Sequence, residues 1–68
     1  MKELYSLGKN LKDLRRQYNY TQQYVADQIG VKFSSYHAYE VGKTVPTLQN
    51  FIKLAKLYDV SLDDLIEQ

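Results

Sequence analysis

The sequence predicts an all-α fold, a compact five-helix bundle, and three observations carry that prediction. Apolar residues recur at helical spacing, with Leu7, Leu11, Leu14 and Tyr18 following i, i+4, i+7 and i+11. Thr21, Thr47 and Ser61 stand immediately before further apolar runs, where helix-capping residues belong. No segment shows the strict apolar–polar alternation of a half-buried strand.

Each element has its own signals. The first helix carries the Leu7 to Tyr18 stripe. The second starts at Thr21, whose hydroxyl can cap first-turn amides, while Tyr20 and Val25 are spaced as a hydrophobic staple. It ends near Ile29, because Gly30 can take the left-handed conformation that closes a helix. The third runs from about Phe33 to Val41 and stops at Gly42. Pro46 then punctuates a loop. Thr47 caps the fourth helix, with Leu48, Phe51, Ile52, Ala55 and Tyr58 expected on its inner side. The fifth has the clearest start: Ser61 caps it, Asp64 acts as a shorter capping-box acid, and Val60 with Leu65 forms the staple.

Composition excludes several classes. A chain of 68 residues reads as one domain, residues 1–68, and at that size folding buries only about 60% of the unfolded surface. Without cysteine there is no disulfide and no thiolate metal site. Seven tyrosines and ample aliphatics separate it from a disordered tail. No apolar run approaches the roughly 20 residues that cross a bilayer, and the start has no signal-peptide pattern, so a cytoplasmic location is expected. One histidine and no cysteine support neither a His-based metal site nor a thiol nucleophile. Asp63 and Asp64 are neighbours on a helix and point in different directions, which suits capping better than paired acid–base work. There is no phosphate-cradling glycine loop. Neither enzymatic activity nor a metal, cofactor or small-molecule ligand is expected.

The net charge of +1 is unevenly spread. Residues 1–34 hold six cations against three anions, whereas residues 45–68 hold two cations against four anions. Such a dipolar domain can turn its basic half toward phosphate. Short chains also fluctuate by a few charges, so this asymmetry alone decides nothing.

The segment "YTQQYVADQIGVKFSSYHAYEVGK", Tyr20 to Lys43, followed by "LAKLYDVSLDDLI", resembles the phage-repressor/Cro-type (xenobiotic-response-element-like) helix-turn-helix family. Thr21-Gln22 at the second helix, small Ala26, Gly30-Val31 at the turn, Tyr39-Glu40 before Gly42 and the closing V-S-x-D-x-L all sit at matching spacing. The resemblance covers roughly residues 7 to 66 and implies a lambda-repressor-like DNA-binding domain with its helix-turn-helix at about 21–41. Physical reasons stand beside it. Ala26 allows close helix approach, Gly30 makes the turn, and Val31 plugs the angle between the helices. Gln22 lies in a first turn whose free amides attract phosphate.

By the same resemblance Phe33, Ser34 and Ala38 face base edges. Gln22, Lys32, Ser35, His37 and Lys43 are then phosphate contacts, and Arg15 bridges Glu40 as a structural salt bridge. The third helix departs from the family pattern in carrying Phe33 and Ala38 where Gln or Asn would read bases. Lys32 replaces a capping Ser or Thr, Val41 replaces a polar residue, and Tyr36 takes a core position usually held by a smaller aliphatic. Two functions follow. One is a sequence-specific transcriptional regulator, a repressor, binding a palindromic operator in double-stranded DNA as a homodimer through the major groove. The other is a protein-interaction module such as an antitoxin or assembly anchor, to which Phe33, Ala38 and Val41 would contribute an apolar docking face.

Overall fold

The computed structural model describes the backbone of residues 2–67 and the side chains of residues 6–67. Five helices follow in order: α1 (Lys2–Gln17), α2 (Gln22–Ile29), α3 (Phe33–Glu40), α4 (Leu48–Tyr58) and α5 (Leu62–Ile66). No strand occurs among the described residues. α1 packs on α3 and α5, α2 on α3 and α4, and α4 on α5, in a body of 26 × 23 × 22 Å.

The caps act where the sequence places them. The Thr21 hydroxyl accepts from the Tyr24 amide at 3.0 Å, and the Thr47 hydroxyl accepts from the Asn50 amide at 3.2 Å. At α5 the capping box is complete, with Ser61 Oγ taking the Asp64 amide and the Asp64 carboxylate taking the Ser61 amide. Among the caps of α2 to α5, that of α3 makes no side-chain hydrogen bond, because Lys32 occupies the position with no acceptor to offer. It ends at Glu40, one residue before the expected Val41, with Gly42 at φ 81° turning the chain away.

Leu7 and Leu11 from α1, Val25, Ala26 and Ile29 from α2, and Tyr36 and Tyr39 from α3 form the core with Leu54, Ala55, Tyr58 and Leu65. Two expectations about it are corrected. Tyr18 lies beyond the end of α1 and is exposed, with its hydroxyl donating to the Tyr58 carbonyl at 2.7 Å. On α4 the buried stripe is Leu54, Ala55 and Tyr58, with Phe51 half-buried, while Leu48 is 69% exposed and Ile52 is exposed. The reason is rotation. α4 turns Leu54 inward between α2 and α5, which carries Leu48 and Ile52 to the outer flank.

Two residues outside the expected pattern join the helices. A Cβ on Gly8 would stand 2.8 Å from the Tyr39 carbonyl oxygen and closer still to that of Glu40, so glycine lets α1 pass directly beneath the end of α3. Asn10 Nδ2 donates to the Leu65 carbonyl at 2.9 Å and lies against those of Asp64 and Glu67. It thereby supplies a donor to the open C-terminal carbonyls of α5.

Gly30 serves differently. Its φ is 77°, yet an added Cβ would meet nothing within 4 Å, so the glycine answers to backbone conformation and not to space. Gly30→Ala should therefore cost about 1–2 kcal/mol, and Gly30→Asn less, because asparagine tolerates the left-handed region. Thermal unfolding of the two variants checks the order. Equal stability of alanine and glycine here would contradict it.

Candidate nucleic-acid interface

α3 is held from behind by one ionic hub. Arg15 Nε donates to Glu40 Oε2 at 2.7 Å and its NH2 donates to Oε1 at 3.2 Å, the two-pronged geometry that suits guanidinium and carboxylate. The third guanidinium nitrogen donates to the Tyr20 carbonyl at 3.0 Å, tying the α1–α2 turn to the same point. The Arg15 and Glu40 side chains are 16% and 3% exposed, so a half-buried arginine meets a buried carboxylate. Burial pushes the Glu40 carboxyl upward, but hydrogen bonds from Arg15, Tyr36 and Gln22 outweigh it and hold the group below its ordinary 4.5. Burial also drives the Tyr36 hydroxyl well above its usual range and Tyr58 up to about 12, so both remain neutral in the core.

Tyr36, Tyr39 and Glu40 occupy the inner side of α3. The outer side presents Phe33, 45% exposed, with Ser34, His37 and Val41, and the half-buried Ser35 and Ala38 complete it. Lys32 and Lys43 are exposed at the two ends of the helix. The residues expected to face bases, Phe33, Ser34 and Ala38, thus share one surface, and its flanks carry cations. The Phe33 and His37 rings lie nearly parallel, 11° apart, with centroids at 6.1 Å.

Gln22 is placed in the first turn of α2, but its side chain is engaged within the protein. Nε2 donates to Glu40 Oε1 at 3.0 Å and stands 3.4 Å from His37 Nδ1. Its backbone amide, at the start of the helix, remains the group pointed outward along the axis. Sequence reasoning missed this Gln22–Glu40 link, as it missed Gly8 and Asn10. A glycine inside the Leu7–Leu11 stripe was the available signal, since mid-helix glycine costs about 1 kcal/mol against alanine and usually has a packing reason. Among the described residues no cluster of three or more potential metal-ligating side chains occurs.

Comparison with known proteins agrees with this geometry. The helix-turn-helix family model matches residues 11–65. A cryptic phage CTXphi transcriptional repressor, RstR, of Vibrio cholerae is 39% identical over 59 residues, covering 87% of this chain and 53% of that protein. An HTH-type transcriptional regulator of Bacillus subtilis, YqaE, is 41% identical over 60 residues, covering 88% and 52%. The chain therefore spans about half the length of the curated relatives it matches. Among solved structures, the restriction-modification controller protein C.AhdI of Aeromonas hydrophila superposes with a TM-score of 0.87 at 28% identity, covering 96% of this chain and 98% of that one. The relatives' names describe regulation and no catalysis. With the family model spanning residues 11–65 and relatives 39% and 41% identical over most of the sequence, this chain is a member of the phage-repressor/Cro-type helix-turn-helix family.

Proposed function

We propose that the chain is a sequence-specific DNA-binding transcriptional regulator, acting as a repressor in the cytoplasm, that inserts α3 into the major groove. The observation that carries this reading is the exposed face of Phe33, Ser34 and Ala38, flanked by Lys32 and Lys43, on a helix clamped from behind by the Arg15–Glu40 pair. Phe33 and Ala38 lie against thymine methyls, an accepted form of major-groove readout, and Ser34 meets a base edge. Lys32, Ser35, Lys43 and the Gln22 amide take phosphates, which set register and not sequence.

Homodimer formation on a two-fold operator belongs to the same proposal. Leu48, Phe51, Leu62 and Ile66 line an apolar groove of about 170 Å³ between α4 and α5. The exposed Ile52 extends this apolar surface. Tyr58 takes no part in this surface: it is 1% exposed and belongs to the core. Two copies joined through this groove would address half-sites about 34 Å apart.

Replacing thymines by uracil one at a time in a selected operator tests the readout. At a contacted step the lost methyl should cost about 0.8 kcal/mol in the wild type and have little further effect on Phe33→Ala. Lys43→Ala should make the log–log salt slope shallower by about 0.9 per half-site while preserving sequence preference. The 50% exposure of Val41, at the opposite end of α3 from the exposed Phe33, favours a second reading, in which the face docks a protein. Silent uracil substitutions, together with a protein partner lost on Phe33→Ala, would establish that reading instead.

A further inference from the structure

The contact between Gln22 and His37 fixes more than a side-chain position. The Gln22 amide group can be oriented two ways, and its neighbour decides between them. Glu40 is an ionised carboxylate, paired with Arg15 and able only to accept, so the nitrogen of Gln22 must face it. That same nitrogen stands 3.4 Å from His37 Nδ1. An amide nitrogen has no lone pair to give, so Nδ1 is the acceptor and the imidazole proton resides on Nε2. His37 is exposed, which leaves its Nε2–H as a donor of fixed tautomer on the outer surface of α3.

The position of that donor follows from Phe33. The two residues are one helical turn apart on one face, with their rings almost parallel. Whatever surface Phe33 meets, His37 meets one turn later. An exposed apolar ring is ill matched to a phosphate wall and well matched to base methyls. The flanking lysines at residues 32 and 43 already supply cations at both ends.

Resting on the DNA-binding reading above, we propose that His37 is a base-reading residue, presenting Nε2–H to a purine acceptor edge in the major groove, with Gln22 as its positioning residue. Guanine is the preferred partner because it offers N7 and O6 side by side, where adenine offers N7 next to a donor. A restraint therefore runs from Arg15 through Glu40 and Gln22 to His37 and the Phe33 ring it stacks on. It converts the ion pair into a defined pose at the DNA surface.

The test uses the 68-residue chain and an operator selected from random duplex. His37→Phe keeps a ring beside Phe33 and removes the Nε2–H donor together with the Nδ1 acceptor that meets Gln22. It should weaken operator binding about five- to ten-fold, the scale of one net hydrogen bond, while random-duplex affinity and the salt slope stay unchanged. Substituting 7-deazaguanine at the contacted step should cost the wild type a similar factor and cost His37→Phe nothing further. Imidazole nitrogen resonances at neutral pH should show the Nε2–H form in the wild type and a mixture of tautomers in Gln22→Ala. The proposal is overturned if His37→Phe weakens operator and random duplex alike with a shallower salt slope, the mark of a phosphate contact. An Nδ1–H imidazole in the wild type overturns it as well. A wild-type chain that retains no duplex at all overturns the DNA-binding reading along with it, an outcome distinct from either of these.

Discussion

Arg15→Ala is expected to destabilise the chain by about 3–5 kcal/mol, the cost of leaving a buried carboxylate without its cation. For a domain this small, that approaches the whole stability a single core supplies. The pH dependence should identify the mechanism. In the wild type the Glu40 carboxyl titrates below its ordinary 4.5. Its stabilising contribution is therefore complete above that pH and is lost as pH falls through the lower folded-state value. Without Arg15, burial, the largest influence on Glu40, is opposed only by the Tyr36 and Gln22 hydrogen bonds, so its pKa rises toward or past the unfolded value and the stability gained between pH 4 and pH 7 shrinks. Denaturant unfolding at pH 4 and pH 7 should show the deficit of Arg15→Ala shrinking at the lower pH. Replacing both partners, Arg15→Met with Glu40→Leu, should recover most of the loss, because no buried charge is left unpaired. A deficit that is equal at both pH values, with no recovery in the double variant, would show that Arg15 stabilises by packing alone.

Gly8→Ala should also destabilise the chain, by about 1–3 kcal/mol, the usual scale of overpacking. The opposing term is real: alanine is favoured over glycine in a helix interior by about 1 kcal/mol. The steric term prevails because the atoms in the way, the carbonyls of Tyr39 and Glu40, are backbone and cannot swing aside as a side chain could. Relief requires α3 to lift from α1, which also stretches the Arg15–Glu40 contact. Calorimetry of the variant checks the sign, and a raised melting temperature would contradict the account. Because α3 itself shifts, any measured duplex affinity should fall with stability.

The helices and their caps were legible in the sequence because caps, periodicity and the Gly30 turn are local signals that agree with one another. The phase of α4 was not. Leu48, Phe51, Ile52, Leu54, Ala55 and Tyr58 offer more apolar positions than one face can bury. Only the location of α2 and α5 decides that Leu54 turns inward while Leu48 and Ile52 stay out. Two reversals of the backbone also escaped, at Asn19 and Asp59, which take φ of 58° and 55° where glycine would have announced them. In the candidate interface, Phe33 as an exposed residue and the Arg15–Glu40 pair could be anticipated. The side-chain partners of Gln22 could not. Its bonds to Glu40 and His37 join positions 18 and 15 residues away, and nothing in the local pattern specifies them.

The central claim, that the outer face of α3 meets DNA, is tested most directly by amide shift mapping while a selected duplex is added to isotope-labelled protein. The account predicts the largest changes at residues 32–38, at the amides of Gln22 and Gln23, and at Lys43, with the buried α1 residues Leu7 and Leu11 little moved. A saturable complex in which those amides stay unshifted while other surfaces respond would contradict it, and so would the failure of any duplex from a random pool to be retained.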